Sequence, residues 1–128
     1  MSLATAEWGT QGLLTQWIGD VATGKRFRGG VVVRDDDILI RRWQIAAQDD
    51  AHLVERMAEE VRDRFAADVG LAVGPLPEEV NSDPPSKIWF GLSSASGTNS
   101  RSAIYSGHPD ILIARAAKQA LNYLRLTI

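Results

Sequence analysis

Few residues in this 128-residue chain can do chemistry, and their types narrow the choice quickly. There is no cysteine, which removes thiolate nucleophiles, thiolate metal sites, iron–sulfur ligation and disulfide scaffolds. The only histidines are His52 and His108. They are far apart in sequence and neither lies in a metal-binding HExxH pattern. His52 falls in the first turn of a surface helix, whereas His108 precedes Pro109 in a loop where a general base could stand. Asp35-Asp36-Asp37 offers hard oxygen ligands without EF-hand spacing, and an acidic turn of that kind is ordinarily solvated, so no metal site is assigned. Gly91-Leu92-Ser93-Ser94-Ala95 has the outline of a nucleophile elbow. The elbow needs a strand-to-helix turn, however, and this serine lies between two hairpin strands. Four tryptophans invite base stacking, but without a basic groove they read as core and interface residues. No P-loop and no dinucleotide fingerprint occurs.

What remains is the junction Thr5-Ala6-Glu7-Trp8-Gly9-Thr10-Gln11-Gly12. Its glycines let backbone approach a ligand, and the helix that follows offers unpaired N–H groups to an anion. The same residues also make an ordinary helix cap with turn glycines, which needs no ligand.

The elements that must position these groups follow from patterning. Net charge −2, 45% hydrophobic residues and 23% charged residues describe an ordinary globular chain. These values exclude global disorder and a dedicated nucleic-acid binder. No apolar run approaches the ~20 residues of a membrane span and no secretory signal leads the chain, so the expectation is a soluble cytoplasmic domain occupying residues 1–128. A buried strand is expected at 3–6. A helix follows at 13–21, with Leu13, Leu14, Trp17, Ile18 and Val21 at helical spacing and Thr10 as N-cap. After a loop at 22–28, the β-branched run Val31-Val32-Val33 suits a central strand. Ile38-Leu39-Ile40 is an adjoining strand or a helical turn. A helix over 51–67, capped by Asp50, buries Leu53, Val54, Met57, Ala58, Val61 and Phe65. A strand at 69–73 precedes a proline-rich loop over 74–86. Strands at 87–92 and 101–105 flank a Ser/Gly-rich hairpin, and a last helix covers 110–126 behind Pro109. Strands alternating with helices, then a hairpin and a closing helix, predict an α/β fold: a three-layer α/β/α sandwich with a mixed sheet, strands 31–33 and 69–73 central.

Several segments together carry a family likeness. Thr5-Ala6-Glu7-Trp8-Gly9-Thr10-Gln11-Gly12 stands where one family carries Thr-Ala-Glu-Ser-Cys-Thr-Gly-Gly. Phe27-Arg28-Gly29-Gly30-Val31-Val32 matches its Phe-x-Gly-Gly-Val-Val strand. Phe65-Ala66-Ala67-Asp68-Val69-Gly70-Leu71-Ala72-Val73 matches a helix end and apolar strand, and Ile88-Trp89-Phe90-Gly91-Leu92 a later strand. On these motifs, over nearly the whole chain, the sequence resembles the CinA C-terminal domain family of the competence-damage-inducible protein CinA, whose active members are nicotinamide mononucleotide (NMN) amidohydrolases. The family's helix before the first strand has no counterpart here. Its absence would leave an under-covered face, so a homodimer is expected.

The departures from the family decide what the resemblance implies about activity. Trp8 stands at the nucleophilic serine, Gly9 at the neighbouring cysteine and Gln11 at a motif glycine. Arg34-Asp35-Asp36-Asp37-Ile38-Leu39 replaces Tyr-Ser-Asn-x-x-Lys. Gly74-Pro75-Leu76-Pro77 replaces a Thr-Gly-Ile-Ala-Gly-Pro loop, and Gly107-His108-Pro109 replaces Gly-Asp-Arg. An amidohydrolase needs a nucleophile, a base and oxyanion donors. The expectation is therefore a domain without catalytic residues, cofactor or metal, serving as a binding or structural module. Its remnant pocket for a small nucleotide-like ligand would comprise Glu7, Trp8, Thr10, Gly12, Gly29, Gly30, Gly74 and His108. One alternative is an NMN amidohydrolase with a rebuilt site using Ser93 or Ser106 with His108. Another is an interaction subunit with Trp8 or Trp17 in a homo-oligomer contact.

Overall fold

The computed structural model describes residues 1–21, 26–34, 38–46, 49–77, 84–105 and 107–127. Five strands form one mixed sheet: β1 (Leu3–Trp8), β2 (Phe27–Val33), β3 (Val69–Val73), β4 (Lys87–Ser94) and β5 (Gly97–Ile104), in the order β2-β1-β3-β4-β5. β1 runs parallel to both β2 and β3, while β4 is antiparallel to β3 and to β5. Helices α1 (Leu13–Val21) and α3 (Leu112–Thr127) pack on one face and α2 (Asp50–Arg64) on the other. The expected three-layer sandwich is therefore the observed one.

Alternation along the strands builds two different cores. Val69, Leu71, Val73, Ile88, Phe90 and Leu92 meet Leu14, Ile18 and the alanines of α3. The opposite face offers small residues, among them Ala4, Ala6 and Ala72, to Val54, Met57, Ala58 and Val61 of α2. Two glycines on that face explain the close approach of the helix. A Cβ on Gly70 would run into the carbonyl oxygen of Ala58, and one on Gly91 into that of Val54. Small residues thus let α2 lie almost directly on the sheet backbone.

Some expectations need correction. The run 31–33 belongs to an edge strand, not a central one: among the described residues β2 has β1 on one side and no strand on the other. β-Branched residues report pleated, partly covered surface rather than the number of neighbouring strands, and here Val33 is buried while Val32 is exposed. The inner place goes to β1, whose Ala4 and Ala6 are small enough for a helix to close over them. Of the two readings of Ile38-Leu39-Ile40 the helical turn is the one observed: Ile38–Arg42 forms a π-helical turn, with the Ile45 amide donating to the Leu39 carbonyl at 3.0 Å. The cap of α2 is Asp49 rather than Asp50, and its side chain accepts from the His52 amide. α2 also ends at Arg64, short of the expected residue 67. The hairpin is tighter than its Ser/Gly-rich sequence suggests, with Ser94 paired to Gly97. A 3-10 turn, Pro109–Ile111, precedes α3. Asp35-Asp36-Asp37, Ser106 and parts of the two expected loops, 22–25 and 78–83, lie outside the described residues.

Candidate functional site

In an open sheet of this kind a ligand site is looked for outside the carboxyl ends of parallel strands, where the strand order reverses. Here that point lies between β1 and β3, since the chain leaves β1 for β2 on one flank and returns as β3 on the other. Residues 8–12 follow β1 and residues 74–77 follow β3.

Glu7 governs the first of these loops. Its side chain is fully buried, and its carboxylate accepts four hydrogen bonds. The Leu14 amide donates to Oε1 at 2.9 Å and the Thr15 amide to Oε2 at 2.8 Å. The hydroxyls of Thr10 and Thr15 donate to Oε1 and Oε2 respectively. The orphan amides at the start of α1, which would otherwise be open to an anion, are therefore satisfied by a carboxylate of the chain itself. Thr10, expected as the N-cap side chain, instead gives its proton to Glu7, while its carbonyl accepts from the Leu13 amide at 3.0 Å. Thr5 completes the cluster, its Oγ1 lying 2.9 Å from that of Thr15.

Glycines shape the rest of the site. Gly9, Gln11 and Gly12 all take positive φ, at 108°, 57° and 89°, so the loop suits glycine at 9 and 12 and strains a side-chain-bearing residue at 11. A Cβ on Gly9 would lie 2.8 Å from Cγ of Leu76. Leu76, on the loop after β3, thus packs directly against the backbone of Gly9 after β1. Trp8 points to the α2 side and is only half-buried against that core. With Gly9, Gln11, Val32, Val33 and Arg34 it lines an open cavity of about 270 Å³. Among the described residues, no hydroxyl, imidazole or carboxylate lines that cavity. Its polar side chains are the indole N–H, an amide and a guanidinium, which can bind an anion or a flat aromatic ring but cannot attack a carbonyl carbon.

Of the expected pocket residues, Glu7, Trp8, Thr10, Gly12 and Gly74 gather at this end of the sheet. Gly29 and Gly30 lie further down β2 and are explained by packing. A Cβ on Gly29 would sit 2.6 Å from Phe65 Cε1, and one on Gly30 would press on the hydroxyls of Thr5 and Thr15. His108 follows β5, which is three strands from β1 in the sheet, and stands just before the turn that leads into α3. Its side chain is 69% exposed and its Nδ1 accepts from the Asp110 amide, capping the 3-10 turn. The Tyr105 hydroxyl donates to its carbonyl. Ser93 is buried, accepts from the Thr98 hydroxyl at 3.0 Å and pairs with Gly70 at the start of β3, at the opposite end of the sheet from His108. A Ser93–His108 pair is therefore ruled out by distance. His52 is exposed, with Nδ1 2.8 Å from the Asp49 carboxylate. Among the described residues, no cluster of metal-ligating side chains forms, and no helix is long and apolar enough to cross a membrane.

Nothing in the sequence marks Thr15, whereas Gln11, Arg34 and Leu76 stand out there as departures from the family's motifs without being assigned to the pocket. Thr15 had no signal, because its role depends on a glutamate on the preceding strand. Gln11 did carry one, as a side chain in a run of glycines.

The family model of the CinA C-terminal domain matches residues 1–128. Solved structures share the architecture. A CinA superfamily protein from Enterobacter cloacae is 23% identical, with TM-score 0.84 over 97% of this chain and 80% of that one. One from Escherichia coli is 21% identical, with TM-score 0.85 over 100% of this chain and 81% of that one. A competence/damage inducible protein from Agrobacterium tumefaciens is 17% identical, with TM-score 0.79 over 100% of this chain and 86% of that one. No curated protein matches the chain.

Proposed function

The chain belongs to the CinA C-terminal domain family, and on that premise we propose that it is a member without NMN amidohydrolase activity, acting as a binding or structural module. The observation that carries this reading is the side chain at position 8. Trp8 has no nucleophilic atom, and the cavity it lines contains no described group able to activate one. Loss of the nucleophile alone costs several orders of magnitude in rate. The buried carboxylate nearest to it, Glu7, is committed to four donors and holds α1 in place. Support also comes from Leu76, whose side chain packs on the backbone of Gly9 and so fills the space beside that residue between the loops after β1 and β3.

Ammonia release from NMN tests the reading. None above the buffer blank is expected, and release would overturn it. A thermal-shift series with NMN, nicotinate mononucleotide and inorganic phosphate separates binding from a purely structural role, because only a bound ligand raises the transition temperature. Val32 on β2 and Ile104 on β5 expose an apolar side chain on each sheet edge, which supports the expected homo-oligomer. Light scattering at micromolar concentration reads its mass directly.

A further inference from the structure

The face of the sandwich made by α1 and α3 holds an open groove of about 800 Å³ that shares no residue with the strand-end cavity. Its chemistry is specific. Trp17 of α1 lies on one side, half-buried, with its indole in the groove lining. Arg115, Lys118, Asn122 and Arg125 come from one face of α3, at spacings of three and four residues that bring them into a row. At 1.5 Å per residue the row is about 15 Å long. Among the described residues no acidic side chain lines the groove, and Arg115 and Lys118 are exposed with no partner. Arg125 is held by Asn122, to whose Oδ1 its Nη2 donates at 2.9 Å. The whole chain carries formal charge −2, so three cations lining one groove are a local reversal of sign rather than a general property of the surface.

Gln119 lines the same groove with its Oε1 turned away from solvent, so the groove's open surface is set by the indole and the cations. An aromatic plane and a row of cations together are the complement of a flat ring that carries anionic groups.

We propose that the groove between α1 and α3 binds a nucleoside polyphosphate, with the base against Trp17 and the phosphates along Arg115, Lys118 and Arg125. The length of the cationic row favours a chain of phosphates over a single one, and stacking on an indole combined with charge-assisted contacts is a known way to hold a nucleotide without a glycine-rich loop. The inference stands whether or not the domain hydrolyses NMN.

Isothermal titration of the full chain with ATP, adenosine, inorganic triphosphate and a single-stranded oligothymidylate tests it. ATP should bind, with adenosine and triphosphate each at least about tenfold weaker, because each lacks one half of the contacts. Trp17→Phe should weaken ATP about tenfold while leaving triphosphate unchanged. The double variant R115E/K118E, at exposed positions where folding is not at stake, should abolish binding of both. Absence of ATP binding, or unchanged affinity in R115E/K118E, would overturn the proposal. Tighter binding of oligothymidylate than of ATP would overturn the small-ligand assignment. A dimer that R115E/K118E dissociates would show the groove to be covered by a second copy, and would overturn it equally.

Discussion

The carbonyl oxygen of Trp8 occupies the place where a side chain on Gly74 would begin. The two residues end neighbouring parallel strands, so this contact fixes the loop after β1 against the loop after β3. Gly74 also has φ of 105°, which an L-residue adopts only with strain. Gly74→Ala combines that strain with a clash against backbone that no rotamer change relieves, and should cost about 3 kcal/mol or more. Gly97, at φ 132° with nothing within 4 Å, isolates the strain alone; Gly97→Ala should cost only about 1–2 kcal/mol. Urea unfolding of the two variants measures the difference, and equal costs would dismiss the contact as a constraint.

Removal of the Glu7 carboxylate should be among the most costly single changes. Glu7→Gln places an amide donor against two backbone amides and two hydroxyls that all need an acceptor, for about 3 kcal/mol of lost stability. Thr10→Val removes one of those hydroxyls and should cost about 1 kcal/mol. Chemical denaturation at neutral pH checks both, and a Glu7→Gln variant as stable as the native protein would refute the role given to this network.

Restoring serine at position 8 should not restore hydrolysis. Leu39, Gly74 and Pro109 stand where the resemblance places a lysine, a threonine and an arginine. Leu39 is moreover buried in the core under α2 rather than directed at the site. Each missing partner is typically worth ~2–4 kcal/mol of barrier, and a serine without a base stays protonated. Ammonia release from NMN by the Trp8→Ser variant is expected to stay at the blank.

The exposed pair Asp49–His52 gives a pH signature. The His52 amide and ring hold the Asp49 carboxyl below its ordinary 3.8, and the Asp49 carboxylate raises the His52 imidazole above its ordinary 6.5. The histidine's contribution is present in full below 6.5 and fades as pH rises through the raised value. The aspartate's is present above 3.8 and fades as pH falls through the lowered value. The pair therefore helps most between these two limits. In a ¹H–¹⁵N titration, Asp49→Asn should bring the His52 midpoint back down, whereas an unmoved midpoint would mean that the two groups do not interact in solution.

Much of the fold was legible in the sequence because period and punctuation coincide with burial. Leu13–Val21 and Val69–Val73 have the boundaries that their apolar patterns suggested. Neighbour relations were not legible. Val31, Val32 and Val33 advertise a strand without saying how many strands flank it, while the modest Ala4 and Ala6 mark the inner one because α2 needs small residues there. Within the site, Thr10 looked like a cap because capping is usually local in sequence. The true capping carboxylate comes from Glu7 on the preceding strand, a choice made by tertiary geometry.

The place of β1 between β2 and β3 also imposes an order in time. β1 and β2 can meet as soon as α1 has formed between them, but the other flank of β1 must wait for β3, with β2 and α2 made in the interval. Closing so long a loop is entropically costly, and pairing of that range is the slow part of assembling a sheet. The β4–β5 hairpin closes on a turn of two residues and needs no such wait. On a ribosome, the first half of this chain therefore spends the time needed to synthesise α2 as an unfinished sheet, with the Ala4–Ala6 edge open to whatever strand arrives first.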